Sequence, residues 1–341
     1  MNLLENFHLQ HGQNLVALAG YQIPLNYRSA QEEFEAANHA AIIDRSFLGK
    51  VRVSGKDRES LLHRLSTNEM RGLRLGESRL NVFPNAKGRV VAVVDMLAFE
   101  DHYLMLTSPG GAEVLKAWIE KYTFVEDVRS ANATDEWYLF AFLGRLCLES
   151  LAQALQLDMG NIDQGRFVKH TWENQTVVIH FPAALTPARI QLLCPPESAE
   201  KLWRHLQGFF PPIGQATYEL LRILQGWPAV GHEIVEEYNP HEIGLFPFIN
   251  FEKGCYIGQE VIARLDTYQK VQRQLVGIRV DSASDFAGAG VVIDGAEVGK
   301  VTSFAAMPDG LHGAGLAVVR KQHAQPEPMS ISRQQTSPQA A

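Results

Sequence analysis

Lys253-Gly254-Cys255-Tyr256-Ile257-Gly258-Gln259-Glu260 is the stretch of this chain best equipped for chemistry. It holds a thiol, a nearby cation and two glycines that permit tight backbone geometry. From about Tyr256 the spacing of Ile257, Val261, Ile262 and Leu265 is helical. Cys255 is therefore expected at or just before a helix N-terminus. Unpaired amides and the helix dipole favour an anion there, which lowers a thiol pKa. Lys253 adds to the effect, and Glu260 opposes it if it points back. One reading is a reactive thiolate. The other is a buried, inert cysteine, the ordinary state of a lone free thiol. Cys147 and Cys194 lie in apolar runs and are read as core.

Common signatures are missing. The sequence has no GxxxxGK[ST] phosphate loop, no GxGxxG, no HExxH and no paired CxxC. His8 and His11 are three apart, but a solvated N-terminal segment explains them better than a metal site, and no metal is assigned. Lys plus Arg number 31 against 38 for Asp plus Glu, a formal charge of -7 in 341 residues. That balance disfavours nucleic acid as the main ligand. Three cysteines form no disulfide framework and fit a reducing compartment. No run of eighteen apolar residues suggests a membrane span. The opening MNLLENFHLQHG has neither the basic region nor the apolar core of a signal peptide. A cytoplasmic protein is expected, and a monomer, because no exposed helix carries a repeating apolar stripe.

The elements that must position the motif follow from periodicity. Ser29 and Glu32 have capping-box spacing ahead of a helix over 29–40. A strand over 49–53 leads into a helix near 57–65. Segment 89–99 is apolar throughout and reads as a strand buried on both faces, partnered by 103–107. A helix over 110–122 follows. Further strands are expected at 137–143, 175–181 and 189–194, and helices at 148–157, 197–207 and 216–225. Strands and helices mix without regular βαβ alternation, which favours α+β with antiparallel sheets. Residues 271–320 are β-rich and punctuated by glycine, as in a small barrel or sandwich. Beyond 322 the chain is polar and Pro/Ser/Gln-rich, as in a disordered tail. The expected domains are 1–135 and 136–269, both α+β, then a β-barrel over 270–321 and a tail over 322–341.

Residues 253–260 resemble the KGCYxGQE signature of the YgfZ-type folate-binding proteins. These are relatives of the glycine-cleavage T protein (aminomethyltransferase) that support iron–sulfur enzymes. The resemblance extends to Ala41–Gly55, to Leu65-Ser-Thr-Asn-Glu69, to Gly76, to the N-x-x-G turn Asn85-Ala-Lys-Gly88, and to the L-R-x-x-x-G helix around Arg222. It covers about residues 10 to 320. It implies two α+β domains and a C-terminal β-barrel around a central cavity that holds tetrahydrofolate. Two departures stand out. The T-protein strand carries a carboxylate seven or eight residues past the Asn, where this chain has Ala92 and Val93. Its helix carries a Glu where this chain has Leu224. The nearest acid is Asp95, on the same strand face as Val93.

The resemblance thus implies a tetrahydrofolate-binding accessory protein for iron–sulfur cluster assembly or repair, with Cys255 as its functional thiol and iron–sulfur proteins or assembly factors as partners. One alternative is a folate-dependent aminomethyltransferase in which Asp95 supplies the missing acid. Another is a non-catalytic folate-binding scaffold. Whether the chain turns anything over stays open. Folate carboxylates call for cations: Arg222 matches the family helix, and Arg264, Lys270 and Arg273 are further candidates, each also readable as an ordinary surface charge. Tyr256, Tyr218 and Trp227 could stack on a pterin or simply fill core.

Overall fold

The structure is a computed structural model that describes residues 4–158, 163–184, 186–268, 270–325 and 327–331. A short helix α1 (Glu5–His11) precedes a hairpin of β1 (Gln13–Leu18) and β2 (Tyr21–Asn26). Then come α2 (Ala30–His39), β3 (Ala41–Asp44), β4 (Leu48–Ser54), α3 (Arg58–Leu65), β5 (Ser78–Pro84), β6 (Val90–Ala98), β7 (His102–Pro109), α4 (Gly111–Lys121) and β8 (Arg129–Asn132). Next are β9 (Tyr138–Leu143), α5 (Cys147–Leu155), β10 (Arg166–Trp172), β11 (Gln175–Phe181), β12 (Ile190–Cys194), α6 (Pro196–Leu206) and α7 (Gln215–Leu224). The chain closes with α8 (Gln259–Thr267), β13 (Arg273–Val280), β14 (Gly290–Ile293), β15 (Ala296–Ala306), β16 (Gly313–Arg320) and β17 (Met329–Ile331).

Contacts divide the chain into two compact units: residues 1–81 with 92–217, and residues 82–91 with 218–341. The sequence expectation set boundaries at 135 and 269. The first unit holds both segments flanking residue 135, and the tip of the β5–β6 hairpin groups with the C-terminal half.

The first unit is built on two five-stranded sheets, ordered β10-β11-β12-β9-β3 and β5-β6-β7-β4-β8. All four residues of β3 are buried, and it pairs with β9 (Ile42 opposite Phe142), so an early segment completes a sheet made of later strands. A core cluster packs Phe140, Phe142, Ile179 and Leu192 against Leu202, Trp203 and Leu206 of α6. The capping box forms as expected: Glu32 N donates to Ser29 Oγ at 3.3 Å, and Ser29 N donates to Glu32 Oε2 at 3.1 Å. Glu33, one position on, is fully buried. Its carboxylate accepts from the amides of Tyr27, Arg28 and Gly214 and from the Thr217 hydroxyl, tying β2 to the start of α7.

Two sequence expectations change here. Segment 89–99 is not sealed on both faces: Val91, Val93 and Asp95 form a half-buried face, opposite the buried Ala92, Val94 and Met96. Apolar residues on both sides of the pleat hid that asymmetry. The hairpin β1–β2 and strands β5 and β10 were also not anticipated, because their polar residues mask the alternation.

The second unit contains α8 and a sheet ordered β14-β15-β16-β13-β17. The expected barrel is an open, curled sheet: β14 and β17 are its edges, and bulges between Val291/Val292 and Val301/Ser303 raise its twist. The expected tail is also corrected. Met329–Ile331 pairs in parallel with Ile278–Val280 of β13, and Met329 is buried in that sheet's core. Two apolar residues, Met329 and Ile331, in a polar run are too weak a signal to announce a strand. The rest of the expected tail, 332–341, lies outside the described residues. No helix among the described residues is long and apolar enough to cross a membrane.

Lys50 on β4 is fully buried in the first unit. Its Nζ donates to the carbonyls of Ser46 at 2.7 Å and Leu48 at 3.0 Å. Burial pushes this ammonium down to about 7, partly offset by Asp44 and Asp135. An unfolded lysine keeps its proton to about pH 10. Between about pH 7 and 10 the unfolded chain therefore holds a proton that the folded chain has released, and stability rises with pH. The stability of wild type relative to Lys50→Met is expected to grow by up to about 1.4 kcal/mol per pH unit across that window. Denaturant melts of both proteins at several pH values check it, and parallel curves would show that Lys50 does not titrate there.

Candidate functional site

The Cys255 motif lies in the second unit on a loop with defined internal bonding. Asn250 Oδ1 accepts from the amides of Glu252 at 2.8 Å and Lys253 at 3.1 Å, closing a turn just before the motif. The Tyr256 amide donates to Gln259 Oε1 at 3.3 Å, and the Gln259 amide donates back to the Tyr256 carbonyl at 3.2 Å. The Tyr256 ring is buried with Ile249 and Ile262, and Lys253 Nζ, also on a buried residue, lies 5.3 Å from the ring centroid. With Tyr256 and Lys253 turned inward, Gly254 and Cys255 between them face solvent, and the Cys255 thiol is exposed.

Helix α8 begins later than its apolar spacing suggested. Gly258 is its N-cap in a left-handed conformation, φ 78°, and Gln259 is the first helical residue. A positive φ interrupts a helix, so the chain turns at Ile257-Gly258 ahead of it. Cys255 therefore stands three residues before the cap, whereas the dipole acts within the first turn. The expected activation by a helix end is not met. Availability of this thiol comes from exposure. Cys147 and Cys194 are buried, as expected, and burial pushes the Cys147 thiol up to about 11.

Gly258 also has a spatial reason. A Cβ there would lie 2.3 Å from the Asn85 carbonyl oxygen and 3.3 Å from the Gly88 amide nitrogen. The N-x-x-G turn and the cysteine motif are thus two sides of one contact. The turn is itself well bonded: Asn85 Oδ1 accepts from the amides of Lys87 at 2.9 Å and Arg89 at 3.1 Å, and the Asn85 carbonyl accepts from the Gly88 amide at 2.9 Å. Gly88, at φ 69°, faces Val261 and Ile262 of α8, where a Cβ would come within 3.2–3.3 Å of their side chains.

The candidate cations divide sharply. Arg222 is buried, and its guanidinium donates to Glu219, Glu233, Ser303 and the Trp227 carbonyl. Its donors are all engaged within the unit, where it fastens α7 to β15 through Ser303. The expected role in holding a folate carboxylate is not what this geometry provides. Arg273 is likewise engaged by Glu237 and Glu242 and stacks on Tyr238. Arg264 is exposed on α8, and Lys270 lies over the Tyr268 ring. Glu260 is exposed at the start of α8. The Tyr256 hydroxyl is buried without a hydrogen-bond partner, and burial pushes the phenol up to about 12. Trp227, half-buried, packs edge-on against Phe248.

Asp95 belongs to the first unit, on the half-buried face of β6 beside Val93. Its Oδ2 lies 3.4 Å from Nε2 of His180, a fully buried residue of β11. The Ser78 hydroxyl is 2.8 Å from the same nitrogen, and His180 Nδ1 is 3.0 Å from Gln191 Oε1. Asp95 Oδ1 is buried and has no hydrogen-bond partner. Burial raises the Asp95 carboxyl above its ordinary range, against the pull of His180. Sequence reasoning found Asp95 but missed His180, Ser78 and Gln191. They lie 85, 17 and 96 positions away in the chain on strands β11, β5 and β12, so no local spacing links them. Among the described residues no group of three or more His, Cys, Asp or Glu is placed to hold a metal ion.

An antiparallel α+β chain with this motif geometry is comparable with known proteins. Residues 4–253 match the GCVT N-terminal domain family, and the chain belongs to that family. It is 30% identical over 290 residues to the "Putative transferase At1g60990, chloroplastic" of Arabidopsis thaliana, covering 84% of this chain and 67% of that protein. It is 25% identical over 318 residues to an aminomethyltransferase of Deinococcus deserti, covering 92% and 87% of the two chains. The fold is similar to that of glycine cleavage system aminomethyltransferase T from Bartonella henselae, with a TM-score of 0.81 at 21% identity over 92% of this chain and 88% of that one.

Gly258→Ala tests the contact that sets the loop. It forces a Cβ into a left-handed position and against the Asn85 carbonyl, and a loss of roughly 1–3 kcal/mol is expected. Gly72→Ala is the control, since Gly72 has φ 75° but open space around it. Chemical denaturation should show Gly258→Ala losing clearly more than Gly72→Ala. Equal losses would mean that φ alone matters and the contact contributes nothing.

Proposed function

We propose that this member of the GCVT family is a tetrahydrofolate-binding accessory protein that supports iron–sulfur proteins through the Cys255 thiol. The observation that carries the reading is Cys255 itself: an exposed thiol on a loop between the buried Lys253 and Tyr256. Nothing in core packing requires sulfur at a solvent-facing position, whereas a partner's iron or thiol needs one there. A single thiolate cannot fill a four-thiolate cluster shell, so the remaining ligands would come from a partner. The apolar Ala92, Val93 and Leu224 argue against efficient aminomethyl transfer, because acid–base help from a positioned carboxyl typically contributes about 10²–10⁴ in rate.

Tetrahydrofolate fits one feature of the first unit. A reduced pterin presents ring N–H groups, and Asp95 Oδ1 is a buried acceptor that lacks a donor. Bound there, the folate would supply a one-carbon carrier nitrogen. The chain's part would be to orient the ring and hold a proton. The same acid favours the second reading, an aminomethyltransferase using Asp95 in place of the absent carboxylates.

Two measurements separate the readings. In cells lacking the gene, wild type should restore iron–sulfur enzyme activity and Cys255→Ala should not. Full restoration by Cys255→Ala would remove the thiol from the function. Glycine-cleavage exchange with the lipoyl carrier protein is expected to show no turnover despite calorimetric binding of tetrahydrofolate. Turnover would establish the transferase, and no affinity for any reduced folate would leave only a scaffold.

A further inference from the structure

The second unit holds a cleft of about 240 Å³ that the cysteine motif does not line. Its walls come from four pieces of chain: segment 241–246, the end of α8, the start of β13, and Lys321 just after β16. Hydrogen bonds tie these pieces together. His241 Nε2 donates to the Ile262 carbonyl of α8 at 3.0 Å. The Leu275 amide of β13 donates to the Glu242 carbonyl at 2.7 Å, and the Lys321 amide donates to the Gln272 carbonyl at 2.7 Å. A site assembled in this way before anything enters it loses little freedom on binding. Its volume lies below the roughly 300–1,000 Å³ of pockets for drug-sized ligands, so it suits a ligand the size of one amino acid.

The lining combines an apolar part with two opposite charges. Phe246, Leu265 and Leu275 supply the apolar part. The Phe246 side chain is 45% exposed, with its ring 5.4 Å from that of His241 and 5.5 Å from that of Phe251. Covering such a surface is favourable. Lys321 is exposed, and its ammonium has no partner among the described residues. Asp266 brings a carboxylate to the same cleft. Arg273 also lines it but is held by Glu237 and Glu242. His241 adds an acceptor. The Ile262 carbonyl can only accept, so Nε2 carries the hydrogen. Burial holds this imidazole below its ordinary range. In the neutral ring Nδ1 is then a lone pair, and it has no partner among the described residues.

A ligand with a single charge meets a like charge here. A simple carboxylate pairs with Lys321 but faces Asp266, and a simple amine does the reverse. A zwitterion satisfies both. We propose that this cleft binds a free α-amino acid with an apolar side chain. The carboxylate pairs with Lys321, the ammonium is shared by Asp266 and His241 Nδ1, and the side chain lies against Phe246, Leu265 and Leu275. The site draws on nothing in the folate reading and stands or falls apart from it. Because α8 supplies one wall, an occupied cleft braces the helix that starts at Gly258.

The test titrates the full chain with L-phenylalanine, followed by calorimetry and by ¹H–¹⁵N amide shifts. Saturable binding with a Kd of about 1 mM or tighter is expected. The shifts should centre on residues 241–246, 265–266, 271–275 and 321. The melting temperature should rise with ligand concentration. L-phenylalaninamide lacks the carboxylate, N-acetyl-L-phenylalanine lacks the ammonium, and L-glutamate lacks the apolar side chain. Each should bind about tenfold or more weakly. Lys321→Met changes an exposed residue, so it should melt as wild type does without ligand and bind L-phenylalanine about tenfold or more weakly. Phe246→Ala should lose affinity while keeping the preference for the zwitterion. No saturable binding of L-phenylalanine, or shifts centred elsewhere, would overturn the proposal. So would equal affinity of Lys321→Met and wild type. If N-acetyl-L-phenylalanine binds as tightly as L-phenylalanine, the ammonium is not read, and the cleft takes a carboxy-terminal residue of a polypeptide instead of a free amino acid.

Discussion

Gly258 can lie against the carbonyl of Asn85 only because it has no Cβ. The geometry around Cys255 depends on that approach. A left-handed Gly258 delays the start of α8 to Gln259, and the chain turns at Ile257-Gly258 just ahead of it. The Asn85–Gly88 turn supplies the surface against which this happens, and its own Asn side chain fixes its shape. Within the loop, Tyr256 and Lys253 are drawn inward by burial and a cation–π contact. The thiol between them is left outside. Two short motifs far apart in sequence therefore meet at one contact, and Cys255 lies exposed beside it.

Two arginines of the second unit are committed within it. Arg222 is neutralised by Glu219 and Glu233, and Arg273 by Glu237 and Glu242. Glu233 also takes the hydroxyls of Thr302 and Ser303, so the ion pair doubles as a clasp between the segment after α7 and β15. A buried pair of this kind is weak evidence for stability but strong evidence that its members are occupied. In the first unit the opposite holds at Asp95, whose carboxyl has an acceptor to spare.

Much of the fold was legible because its signals were periodic. Helices α2, α4, α5, α6 and α7 and strands β6, β7, β9, β11 and β12 lie within a few residues of their expected spans. Where the reading failed, the cause was local. The spacing of Ile257, Val261 and Ile262 is helical, but a backbone conformation at Gly258 overrides it. Residues 271–320 read correctly as β, yet pairing order decides between a barrel and an open sheet, and pairing order is not written in composition. Of the site, the motif and Asp95 were visible, because each combines residue types with spacing. That Arg222 is fully committed was not, since Glu233 and Ser303 lie 11 and 81 positions away. His180 was invisible for the same reason.

The account rests on a sulfur that is held in the open while two others are sealed. Alkylation of the folded protein with iodoacetamide, followed site by site with mass spectrometry, tests this directly. Cys255 should be modified at the rate of an exposed thiol while Cys147 and Cys194 stay unmodified until the protein is unfolded. If Cys255 is protected in the folded protein as strongly as the other two, the thiol is not presented and the functional reading built on it is wrong.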